Sequence, residues 1–101
     1  MSRTLWDPVD PARLGSLDPR LRAKVNGEIY RFSGPVTLAR FRRHPARWCG
    51  ILRDPVSGVT FVPDRFAPRF DTRDGPYFFA SESTFAAFRA DTGRFLIHRG
   101  G

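Results

Sequence analysis

Moved 47 residues along itself without gaps, the chain meets eleven identities. They are Asp7/Asp54, Pro8/Pro55, Val9/Val56, Arg22/Arg69, Tyr30/Tyr77, Phe32/Phe79, Thr37/Thr84, Ala39/Ala86, Phe41/Phe88, Arg42/Arg89 and Arg47/Arg94, with Leu38/Phe85 and Trp48/Phe95 as conservative pairs. The sequence therefore reads as two tandem copies, 7–53 and 54–99. Units this small sit near the size at which a hydrophobic core alone fails and a metal or disulfide usually makes up the deficit. Cys49 is the single cysteine in the 101 residues, so an intramolecular disulfide is excluded. The remaining route is for the copies to pack on each other. The expected core pools Phe32, Leu38, Phe41 and Trp48 with Phe61, Phe70, Tyr77, Phe79, Phe85, Phe88 and Phe95 in one domain.

Periodicity turns the repeat into local structure. The alternation in Glu28-Ile29-Tyr30-Arg31-Phe32 predicts a strand with one buried face, and Gly75-Pro76-Tyr77-Phe78-Phe79 is its counterpart after an Asp74-Gly75 turn. Ser33 and Ser81 stand where an N-cap is wanted, Pro35 suits a first helical turn, and Leu38/Phe41 and Phe85/Phe88 recur at i, i+3. Each strand is thus followed by a helix of about two to three turns. His44-Pro45 and Thr92-Gly93 are the expected stops, leaving Trp48 and Phe95 to fold back. The fold class is α+β: two β-hairpin-plus-short-helix repeats packed as one pseudo-symmetric domain.

The second copy runs Asp54-Pro55-Val56-Ser57-Gly58, then Gly75-Pro76-Tyr77-Phe78-Phe79-Ala80-Ser81-Glu82-Ser83-Thr84-Phe85-Ala86-Ala87-Phe88. It resembles the YHS family of the TRASH group of treble-clef-like domains, which reads Asp-Pro-Val-Cys-Gly, then Gly-x-x-Tyr-x-Phe-Cys-Ser-x-x-Cys-x-x-x-Phe. The resemblance covers most of 54–96 and more weakly 7–48, where Tyr30, Phe32, Phe41, Pro45 and Trp48 carry it. It implies a treble-clef-like fold and a small module beside larger proteins, including metal-handling proteins and multicomponent oxygenases. At the family's cysteine positions this chain has Asp10, Ser33 and Thr37 in the first copy and Ser57, Ala80 and Thr84 in the second. Hydroxyls and a methyl cannot replace the thiolate or imidazole donors of a zinc site. The family's metal binding therefore does not carry over, and no cofactor is expected.

His44, Cys49 and His98 are the remaining soft donors and occupy unlike places in the two copies. Helix-end capping, core packing and a solvated tail explain them; a residual zinc or copper site is the alternative. Cys49 lacks an evident activating imidazole, Asp7, Asp10 and Asp54 read as turn openers, and Ser81-Glu82-Ser83 reads as capping, so no enzyme is expected.

The net charge of +7 is uneven. Residues 1–53 hold 11 basic and 4 acidic side chains, residues 54–101 six of each, and all the basic residues except Lys24 are Arg. The densest stretch, 40–48, places Arg40, Arg43 and Arg47 on one helical face and its exit. Phe66 and Phe70, among the prolines of 59–70, stand either exposed for a partner or buried under the second helix. We expect a non-enzymatic accessory or adaptor module whose partner-binding residues are Arg40, Arg43, Arg47 and Phe66, docking on a larger protein complex such as an oxygenase or metalloenzyme. Phosphate contact with RNA or DNA through the same arginines is the alternative. The expected location is cytoplasmic, since neither a signal-like start nor a run of about 20 apolar residues is present. Residues 1–6 and 97–101 read as loose ends.

Overall fold

The computed structural model describes residues 6–95. A single 3-10 turn, Pro19–Leu21, leads into β1 (Arg22–Val25) and β2 (Glu28–Arg31), followed by α1 (Pro35–Arg43) and α2 (Pro45–Trp48). A short hairpin of β3 (Leu52–Arg53) and β4 (Thr60–Phe61) comes next, then β5 (Arg69–Thr72), β6 (Gly75–Phe78), α3 (Glu82–Ala90) and α4 (Thr92–Phe95). The described chain is thus a small α+β domain of three antiparallel hairpins and four helices. Its radius of gyration, 13.2 Å, is that of a compact domain, about 13 Å for 100 residues. Among the described residues no helix is long and apolar enough to cross a membrane.

Local chemistry accounts for the hairpins. Asn26 (φ 51°) and Gly27 (φ 76°) both take positive φ, which makes an Asn-Gly two-residue loop matched to strand twist; Val25 pairs with Glu28 across it. In the second long hairpin Arg73 and Asp74 form the loop, and Gly75, at φ 123°, begins β6 rather than closing the turn. A Cβ at Gly75 would run into the backbone carbonyl of Lys24, so glycine lets β1 and β6 approach.

The helices obey most of the expectations, with two corrections. Ser81 caps α3, its hydroxyl accepting from the Thr84 N–H at 3.3 Å, but α1 is capped by Gly34, without a side-chain cap. Ser33 lies one residue too early and its hydroxyl is committed elsewhere, as described below. The second helix stops at Asp91 rather than at Thr92-Gly93, which instead begin α4. His44 and Asp91 share a backbone conformation, φ −144° and −147° with ψ 68°, so each corner is made in the same way. Trp48 and Phe95 fold back onto the core as expected.

The rings do not pool into one cluster. Val25, Tyr30, Phe32, Leu38, Phe41, Cys49, Leu52 and Phe78 form one buried group, and Tyr77, Phe79 and Phe88 a second, flanked by Val56, Phe70, Phe85 and Phe95. Strand alternation is the reason. Tyr77 and Phe79 face their own helix, with ring centroids 5.1 Å from Phe88, while Phe78 points the other way into the first group. β6 is therefore buried on both faces. At the place in the first half that Phe78 holds in the second, β2 carries the half-buried Arg31.

Asn26 fastens β1 to β6. Its Oδ1 accepts from the Phe78 N–H at 2.7 Å, its Nδ2 donates to the carbonyls of Phe78 (3.0 Å) and Arg53 (2.9 Å), and its backbone N–H donates to the Pro76 carbonyl. The side chain is 2% exposed, so these bonds are made away from water.

Candidate functional site

Two structures within the domain bear on function: a pair of buried carboxylates and a basic trough. Asp7 and Asp54 are fully buried. Asp7 Oδ1 accepts from the N–H groups of Val9 (2.8 Å) and Asp10 (3.1 Å), the local turn that the Asp-Pro pair predicts. Its Oδ2 reaches across the fold to the Ser33 N–H (2.8 Å), the Ser33 hydroxyl (2.9 Å) and the Thr37 hydroxyl (2.6 Å). Asp54 repeats the arrangement. Oδ1 accepts from Val56 (2.8 Å) and Ser57 (3.1 Å), and Oδ2 from the Ala80 N–H (2.9 Å) and the Thr84 hydroxyl (2.6 Å). Thr37 and Thr84 lie in the first turns of α1 and α3, where helix ends favour an anion.

These contacts decide protonation. Burial works against the charged form, but for Asp7 the bonds from Ser33, Thr37 and Val9 outweigh it and hold the carboxyl below its ordinary range. Burial likewise opposes ionisation of Asp54, and the bonds from Thr84, Ala80, Val56 and Ser57 overcome it. Both act as anionic hubs rather than as turn openers alone. As acid-base groups they are poorly placed, because their lone pairs are occupied by the fold.

The trough consists of two concavities that share Pro45 and Arg69. One, of about 490 Å³, is lined by Arg43, Arg47, Arg65 and Arg69, with His44 and Asp64 on its wall and Phe78 beneath. The other, of about 380 Å³, is lined by Arg22, Lys24, Arg42, Arg69 and Arg73, with Asp74. Two arginines that line the first each stack on the ring of the next residue in sequence: Arg47 lies 4.9 Å from the Trp48 ring centroid and Arg65 4.8 Å from that of Phe66. Phe66 is 76% exposed, whereas Phe70 is half-buried with its ring edge-on to Phe88 at 5.4 Å. Arg69 is also paired with Asp71 at 2.7 Å.

Of the residues singled out from the sequence, the structure brings Arg43 and Arg47 together in the first concavity, and Phe66 lies between Arg65 and Ala67, which also line it. Arg40 faces a separate hollow with Pro35, Val36 and Ala39, which Arg43 also borders. Helical spacing missed Arg65, Arg69 and Arg73, because the second half of the chain supplies them through loops and a hairpin. Cys49 is buried in the first core cluster; His44 joins α1 to α2; His98 lies outside the described residues. Among the described residues no group of three or more His, Cys, Asp or Glu is arranged to hold a metal ion.

Comparison of the chain with protein-family models, with curated proteins and with solved structures gives no match in any of the three.

Proposed function

We propose that the chain is a tandem pair of YHS-like, treble-clef-like units that have exchanged metal-centred sites for carboxylate-centred ones, and that it serves as a non-enzymatic accessory module docking on a larger protein. The observation that carries this reading is the coincidence of two sets of positions. Asp10, Ser33 and Thr37, and likewise Ser57, Ala80 and Thr84, stand where the family places cysteines, and each is a hydrogen-bond donor to Asp7 or Asp54. Thiolates converge lone pairs on a cation; these residues converge N–H and O–H hydrogens on an anion. The polarity of the site is inverted while its role of tying the Asp-Pro-Val loop to the strand end and helix start is kept.

The recurrence of elements supports the duplication. The ranges of β5, β6, α3 and α4 are those of β1, β2, α1 and α2 advanced by 47 residues. A frame preserved without its ion retains shape, and shape is what docking uses. The segment joining the halves exposes Ile51, Val59, Val62 and Phe66, a concentration of apolar side chains suited to a protein surface. Ile51 and Val62 continue the β3–β4 register on the face opposite the inward Leu52 and Phe61.

Native purification from the source cell, followed by size-exclusion chromatography with light scattering, tests the docking reading. A stoichiometric complex with one defined larger protein is expected. Val62→Asp with Phe66→Asp should dissociate it without lowering the melting temperature of the isolated chain, because both side chains are exposed. A clean monomer that recruits no protein contradicts it.

A further inference from the structure

We propose that the Arg-lined trough binds single-stranded nucleic acid, a function separate from the protein-docking reading, although Phe66 belongs to both surfaces. The trough gathers cations from otherwise unrelated parts of the fold. Arg22 and Lys24 come from β1, Arg42 and Arg43 from the last turn of α1, and Arg47 from α2. Arg65 comes from the loop after β4, Arg69 from β5 and Arg73 from the β5–β6 turn. Asp64 and Asp74 are the acids that line it. Neither half of the chain holds this surface alone.

Three features select the ligand class. The cations are spread along two joined concavities rather than converged on one point, which suits a polyanion better than a single small anion. The groups are almost all guanidinium, whose planar fork pairs with phosphate oxygens, and two of them already lie over rings at 4.8 and 4.9 Å. Phe66, exposed beside Arg65, offers a face on which a base can stack, a use an acidic peptide does not have. A concave trough admits a flexible strand, whereas duplex DNA is read by a convex element entering its groove.

Fluorescence anisotropy with a labelled oligouridine about 20 nucleotides long, over a salt series, tests this. Binding is expected to weaken steeply with salt. Arg43→Ala with Arg65→Ala should reduce affinity at low salt about tenfold or more and flatten the log-log salt slope by about 1.4, the loss of two phosphate contacts at about 0.7 each. Phe66→Ala should weaken binding about fivefold or more at all salt concentrations. Arg89→Ala with Arg94→Ala removes the same charge away from the trough and should change affinity less than about twofold. All of these side chains are exposed, and matched thermal melts check that folding is unaltered. Failure to bind at low salt, an equal loss in the Arg89/Arg94 variant, equal affinity for a duplex, or displacement by polyglutamate as readily as by unlabelled oligouridine would each overturn the proposal. The last of these would assign the trough to an acidic protein surface.

Discussion

Asp54→Ala is expected to lower the stability of the domain by about 3–5 kcal/mol, a large part of the 5–15 kcal/mol typical of a domain. The substitution removes one carboxylate and leaves four donors, the N–H groups of Val56, Ser57 and Ala80 and the Thr84 hydroxyl, without their acceptor in a buried place. Leaving such groups unpaired costs more than a hydrogen bond gains. Asp54→Asn should be milder, about 2–3 kcal/mol, since one oxygen still accepts while the amide nitrogen faces donors. Asp7→Ala and Asp7→Asn should follow the same order, as Asp7 accepts five bonds of the same kind. Urea melts at neutral pH read these differences directly.

The same hubs set the acid limit of the fold. Both carboxyls are held below their ordinary pKa in the folded chain, so the folded state binds fewer protons than the unfolded one across that interval. Their contribution is complete above the unfolded value, about 3.9, and is lost as pH falls through the folded values. The double variant Asp7→Asn with Asp54→Asn should therefore lose less stability between neutral pH and pH of about 3 than the unaltered chain does. An identical acid dependence in both would show that the carboxylates are not the groups responsible.

The second large effect is expected at Asn26. Asn26→Ala removes the acceptor of the Phe78 N–H and the donor to the carbonyls of Phe78 and Arg53, and it places alanine at φ 51°. The lost bonds, with buried groups left unpaired, account for about 2–4 kcal/mol, and the left-handed backbone for about 1 kcal/mol more. Asn26→Gly keeps the first loss and relieves the second, so it should be about 1 kcal/mol more stable than the alanine variant. Equal stability of the two would mean that the backbone conformation is not under strain. Because Phe78 belongs to the first core cluster while its strand belongs to the second half, both variants should still unfold as one unit, seen as a single transition by ring and backbone probes.

What the sequence made legible was what repetition and periodicity encode. The paired Tyr-x-Phe segments became β2 and β6, the i, i+3 apolar pairs became the core-facing sides of α1 and α3, and Trp48 and Phe95 folded back. The hubs were half legible. One oxygen of each aspartate does make the turn that Asp-Pro announces; the other acts 26 and 30 residues away, and local reading carries no sign of that. A sign did exist in the repeat itself, where Thr37/Thr84 is a polar identity matched to Asp7/Asp54 at constant spacing. Asn26-Gly27 was likewise a readable hairpin signal, but the burial of Asn26 depends on β6, 50 residues later. The division of the core followed from one side chain: Phe78 interrupts an otherwise one-sided strand, and only the placement of β6 beside β1 shows which cluster receives it. The trough was invisible for a related reason. Arg43 ends α1 and Arg47 lies in α2, close in sequence, whereas their partners arrive from β1 and from the second half through tertiary structure.

On the proposed reading, buried carboxylates do in this domain the tying that an ion and thiolates do in YHS-like units. Thermal denaturation of the intact chain, purified without a histidine tag and followed with and without excess chelator alongside elemental analysis, tests this most directly. Superimposable melts and far less than one bound metal per chain are expected. A melting temperature lowered by chelator, with zinc or copper recovered in equal proportion to protein, would contradict it.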